Sequence, residues 1–117
     1  MAAQLSQSTV NLAPFFLAAG LPEPQTEYQF SDRGWRFDYA WPAFLVAFER
    51  EGGDLQRGQS RHTSFKGYQA DIIKYNTAAL LGWLIIRATA PQVQRGEHLV
   101  WVTDALLVHG WQPGGDS

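Results

Sequence analysis

The chain contains no cysteine, so it can form no disulfide and offers no thiolate to a metal. That absence fits a reducing compartment. No apolar run reaches the roughly 18 residues that a membrane-spanning helix needs. The first residues, MAAQLSQSTVNLAP, lack a basic n-region, so no signal peptide is read there. Acidic residues are missing altogether from residues 1–22. An overall positive charge is missing too: the net charge is −2, which argues against a protein that binds DNA by bulk electrostatics. What is present suits a folded domain. The 117 residues fit one domain, and 45% hydrophobic and 14% aromatic residues, with five Trp, are enough to build a core.

Charge is unevenly placed within that balance. Residues 55–75 hold Arg57, Arg61, Lys66 and Lys74 against the single acid Asp71, with His62 among them. Such a run reads either as a solvated loop or as a set of phosphate contacts.

The order of elements follows from periodicity and breakers. Residues 1–9 and 112–117 read as flexible ends. Residues 10–19 can form a short helix that Pro14 breaks or restarts. A first strand falls at 27–31 and a turn at Asp32-Arg33-Gly34. Over 35–41 the residues alternate, with Trp35, Phe37, Tyr39 and Trp41 on one side and Arg36, Asp38 and Ala40 on the other. Pro42-Ala43 interrupts, and 44–51 resumes as the second arm of an antiparallel hairpin. Residues 52–63, GGDLQRGQSRHT, read as a long mobile loop. Thr63 or Ser64 caps a helix over about 66–81, with Ile73 and Leu80 on one side and Asp71, Lys74 and Tyr75 roughly opposite. WLIIRA, 83–88, is a buried strand, and 97–109 form a last helix. The expected fold is a single α/β domain, α-β-β-β-α-β-α, with a mixed sheet of about four strands flanked by helices.

The hairpin raises a chemical question, because its apolar arms carry Asp38, Glu49 and Glu51. If it turns about the midpoint between Ala43 and Phe44, Asp38 and Glu49 lie directly across from one another. Their Cβ atoms are then roughly 4.5–5.5 Å apart. Two like charges at that spacing repel. A divalent cation between them removes the conflict, and Mg²⁺ is commonly held by one or two carboxylates with waters and phosphate. Glu51, on the same strand face, could add a ligand or help hold a water. A structural network is the competing explanation: Asp38 with Arg36, Glu49 with Lys74 or Arg87, and Glu51 in solvent.

A strand acid, a hairpin and then acid-x-acid followed by Gly-Gly resembles the nuclease superfamily named for its PD-(D/E)XK signature. The segments EYQFSDRGWRFDYAWP, VAFEREGG and GQSRHTSFKGYQADIIKYNTAALLGWLIIRAT are similar to phage-type endonucleases related to Holliday-junction resolvases. They are more distantly similar to very-short-patch-repair-type nicking enzymes. The resemblance covers residues 20–90 and implies a restriction-endonuclease-like fold. It also implies that Asp38 and Glu49 ligate the metal, helped by the backbone carbonyl of Arg50. Glu51 stands where the commonest pattern has Lys, so the cation must come from elsewhere: Lys74 first, then Arg61 and Lys66. His62 matches a loop histidine of this branch, placed to orient water or bind the scissile phosphate. The branch's leading helix often supplies a Glu; Glu27 could compensate.

The implied activity is Mg²⁺-dependent hydrolysis of DNA phosphodiesters, with Mn²⁺ as a substitute, and the implied substrate is a four-way junction. Arg57, Arg61 and Lys66 would contact neighbouring phosphates. A junction needs two symmetric cuts, so a C₂ homodimer is expected, in contact through LVWVTDALLV or the aromatic faces of WRFDYAW. A cytoplasmic location in a bacterial or phage-infected cell goes with this. The alternatives are a mismatch-nicking or restriction-type enzyme of the same fold, and a non-catalytic DNA-binding relative in which Glu51 marks lost function.

Overall fold

Strands β2 (Arg36–Trp41) and β3 (Val46–Glu51) pair antiparallel, with Tyr39 opposite Phe48, Ala40 opposite Ala47 and Trp41 opposite Val46. This is the register expected from a turn centred between Ala43 and Phe44. The turn is a short 3₁₀ segment, Pro42–Phe44, closed by Leu45 in the left-handed region at φ 55°. The computed structural model describes residues 10–52 and 64–114. The expected flexible segment 1–9, most of the loop 52–63 and residues 115–117 of the tail lie outside the described residues.

Strand β1 (Gln25–Gln29) pairs antiparallel with β2, and β4 (Leu84–Thr89) pairs parallel with β3. The result is a four-stranded mixed sheet in the order β1-β2-β3-β4. A parallel pair needs a crossover, and helix α2 (Phe65–Leu80) supplies it. Ser64 caps α2, its hydroxyl accepting the Gly67 N–H at 2.9 Å. Gly82 then turns the chain into β4 at φ 94°, where a Cβ would press on Leu45 Cδ1 at 3.3 Å.

One face of the sheet carries α1 (Ala13–Ala18), α3 (Ala90–Gln94) and α4 (Glu97–Val108). Leu12, Phe16, Tyr39, Trp41, Val46, Phe48, Val102 and Leu106 make the main core between these layers. Phe16 sits edge-on to Tyr39, Trp41 and Phe48. Polar ties fix the entry to the sheet: the Tyr39 hydroxyl accepts the Leu12 N–H at 2.8 Å, and the Trp41 indole donates to the Pro22 carbonyl at 2.7 Å. Pro14 does not break α1. It lies in the first turn, where a missing N–H leaves no bond unmade.

Two local expectations are corrected, the helix count and the alternation of β2, and α2 takes an orientation that its periodicity leaves open. The chain folds an additional one-turn helix, α3, before the last one. Thr89 and Gln92 form a capping box that starts it directly at the end of β4. Helix α2, on the other face of the sheet, turns its polar side inward. Ala78 is buried and Lys74 and Tyr75 are half-buried, while Ile72, Ile73 and Leu80 point to solvent. The alternation of β2 breaks at Asp38. Phe37 joins a second, smaller cluster under α2 with Ala40, Ala47, Ala78 and Trp83, whereas Tyr39 belongs to the main core. Among the described residues no helix is long and apolar enough to cross a membrane.

Candidate active site

The break at Asp38 is where the site forms. Extending the strand register by one row places Glu27, Asp38, Glu49 and Arg87 side by side across the four strands. At this row the backbone departs from regular sheet. Glu27 adopts φ 50°, a left-handed conformation that costs a non-glycine residue about 1 kcal/mol. Carboxylates replace the ladder between β2 and β3. Glu49 Oε2 accepts the Asp38 N–H at 3.1 Å, and Asp38 Oδ2 accepts the Arg50 N–H at 2.8 Å. In an extended strand the N–H and C=O of one residue point the same way, so the Arg50 carbonyl faces the same gap.

Helix α2 closes the site from above. The Tyr75 hydroxyl donates a short hydrogen bond to Glu49 Oε1. The Lys74 ammonium donates to the same oxygen at 3.2 Å. Consecutive helical positions lie about 100° apart, so Lys74 and Tyr75 flank the inward direction of α2, and their bonds to Glu49 hold that polar side against the sheet.

Electrostatics at the pair are strained. Burial raises the Glu49 carboxyl above the ordinary glutamate range and Asp38 adds repulsion, while the Tyr75 and Lys74 bonds act the other way. Burial also raises Asp38, and the charge of Glu27 adds to it; the Arg50 N–H bond and Lys74 oppose the rise. Burial beside Glu49 pushes the Tyr75 phenol far up, so Tyr75 keeps its proton and acts as a donor.

Glu51 is engaged by β4 and does not join the pair. The Arg87 Nε donates to Glu51 Oε2 at 2.8 Å, and the guanidinium lies over the Tyr75 ring, 4.4 Å from its centroid. Arg36 turns from Asp38 to the Glu27 carbonyl, at 3.4 Å. Glu27 is exposed and reaches Asp38 only through its charge. Lys66 is exposed in the first turn of α2. Arg57, Arg61 and His62 lie outside the described residues. The structure therefore brings together Asp38, Glu49, the Arg50 backbone and Lys74 from the residues singled out in the sequence.

Tyr75 and Arg87 had weaker signals. Tyr75 shares the polar helix side with Lys74. Arg87 is the one charged residue in an otherwise apolar strand, and reads from sequence only as a possible partner of Glu49.

Among the described residues no three His, Cys, Asp or Glu side chains gather into a metal-holding group. The donor set available is two carboxylates and a carbonyl, all hard oxygens. That suits Mg²⁺, which usually takes one or two carboxylates and leaves other positions to water and phosphate. A cation would also offset the burial and repulsion that raise both acids. Comparison with known protein families, curated proteins and solved structures returns no match.

Proposed function

We propose that this chain is a Mg²⁺-dependent DNA endonuclease that acts on branched DNA, with a four-way junction as its substrate. The observation that carries the reading is the reciprocal hydrogen bonding of Asp38 and Glu49, which holds a half-buried and a buried acid together at a break in the sheet with Lys74 beside them. A site that stores this much unfavourable charge on rigid strands is a candidate for chemistry rather than for stability. The element order and the antiparallel, antiparallel, parallel strand pairing support a restriction-endonuclease-like fold.

Asp38, Glu49 and the Arg50 carbonyl would hold the ion. Bound there, Mg²⁺ supplies a Lewis acid that polarises a phosphate oxygen and makes water more acidic. Tyr75 keeps Glu49 Oε1 directed toward α2. Lys74 supplies the cation that the Glu51 position lacks; its ammonium can shift from Glu49 to the extra charge that develops on the attacked phosphate. Two such sites on a C₂ dimer would make paired cuts. The aromatic residues Phe37, Tyr39 and Trp41 are taken up in the cores, so α4, with Val100, Trp101 and Val108 exposed, is the remaining one of the two expected contact surfaces.

One observation favours a second reading. Lys74 and Tyr75 already satisfy Glu49 Oε1, so the cluster could be a structural ion pair in a non-catalytic DNA-binding relative. Incubation of the protein with a synthetic four-arm junction and with linear duplex, with and without Mg²⁺, separates the possibilities. Symmetric Mg²⁺-dependent nicks near the crossover support the proposal. Nicking of linear duplex points to a mismatch or restriction-type enzyme. Junction binding with no cut in Mg²⁺ or Mn²⁺ points to the non-catalytic relative.

A further inference from the structure

Arg87 is held in a way that a structural ion pair does not require. Its Nε is fixed by Glu51 at 2.8 Å, and its planar face rests over the Tyr75 ring. No other hydrogen bond or ion pair to a described residue engages it, and its side chain is 45% exposed. The register pairs it with Glu49, and side chains of paired residues on neighbouring strands emerge from the same face. The end of the guanidinium that carries two parallel donors is thus left toward solvent beside the acid pair, already oriented at one edge and across one face.

We propose that Arg87 is a phosphate-binding residue of this site, gripping a phosphodiester next to the one that is cut, and that Glu51 and Tyr75 are the positioning residues that aim it. The inference rests on the nuclease reading for the identity of the ligand, and it assigns a role to the acid that stands where Lys is commonest. A guanidinium fork matches two oxygens of a phosphate, and pre-orientation lowers the conformational cost of the contact. Lys74, 16% exposed and committed to Glu49, serves the reacting centre, whereas Arg87 is open to the strand that runs past it.

The test is junction binding without divalent ions, followed by fluorescence anisotropy over a salt series, with cleavage in Mg²⁺ measured in parallel. Arg87→Ala should weaken binding about tenfold and lower the slope of log affinity against log salt by about one, the signature of one lost phosphate contact. Arg87→Lys should keep the slope and still lose affinity several-fold, because the charge stays and the fork and stacking go. On a junction carrying a neutral methylphosphonate at the gripped position, wild type and Arg87→Ala should bind alike. Unchanged affinity and slope in Arg87→Ala would overturn the assignment, as would failure of the wild type to bind DNA. Tighter Arg87-dependent binding of a poly-glutamate peptide than of DNA would also overturn it, and would reassign the fork to an acidic protein. Wild-type cleavage with Arg87-independent binding sinks this inference and leaves the nuclease reading. Arg87-dependent binding without cleavage in Mg²⁺ or Mn²⁺ does the reverse.

Discussion

Asp38 and Glu49 each bind the other's strand: the Glu49 carboxylate accepts the Asp38 N–H, and the Asp38 carboxylate accepts the N–H of Arg50, the residue after Glu49. Side chains do here what backbone carbonyls do in the rest of the hairpin. The strands stay joined while two acids are kept close, and the consequences can be measured.

Asp38→Asn should stabilise the protein while abolishing cleavage. The amide oxygen can still accept the Arg50 N–H, and the charge that burial and Glu27 disfavour is gone. The gain should appear as a Tm above that of wild type at pH 7. An acid raised in the folded state contributes stability that is present at low pH and lost as pH rises through its folded value. The advantage of the variant should therefore shrink as pH falls toward 4. Melting curves of both proteins across pH give the answer; a variant less stable than wild type at pH 7 would contradict it.

Cleavage should fail on the acid side earlier than ordinary carboxylates would dictate. Both acids must be ionised to work, and both are raised above their usual values of 3.8 and 4.5, chiefly by burial. A single-turnover pH profile at sub-saturating Mg²⁺, where the free acids must ionise before they take up the ion, should show its acid limb above that range. A limb within or below it would mean that other groups limit the reaction.

Lys74→Ala should slow chemistry by about 100-fold or more while leaving junction affinity within a few-fold. It should also cost about 2 kcal/mol of stability, because Glu49 loses a charged partner in a largely buried pair. Separate measurement of single-turnover rate, affinity and Tm covers the three parts. Unchanged turnover would move the cationic role to Arg61, His62 or Lys66.

His98 should set the acid stability of the α4 side of the core. It is 3% exposed, rests against Phe16 and Phe48, and neither ring nitrogen has a hydrogen-bond partner among the described residues. Burial lowers its pKa from 6.5, and the charge of Arg50 lowers it further. A base depressed in this way supports the fold fully above its unfolded value, and that support is lost as pH falls below about 6.5 toward the folded value. His98→Leu should flatten the stability profile over that interval. An identical slope in the variant would exclude His98 as its source.

Much of this was legible in the chain. The hairpin register followed from where Pro42-Ala43 falls, and it put Asp38 opposite Glu49. The span of α2 and its Ser64 cap followed from ordinary helix signals. The change of face at Asp38 was not legible, because periodicity assumes that a strand continues its ladder, and here carboxylates end it. The outward turn of Ile73 and Leu80 was hidden for a related reason. Hydrophobicity alone directs the apolar side of α2 inward, but Glu49 beneath it draws Lys74 and Tyr75. Glu51 could be read as an open ligand only while its neighbour across the parallel pair, two residues from Thr89, was unknown.

The most direct measurement places the ion itself. Mn²⁺ added in substoichiometric amounts to carboxyl-labelled protein in the presence of junction DNA broadens the NMR signals of the side chains nearest to it. The Asp38 and Glu49 carboxyl resonances should disappear first, and in Glu49→Gln the Asp38 signal should survive the same addition. Broadening that spares both residues, or that begins at other acids, would contradict the account.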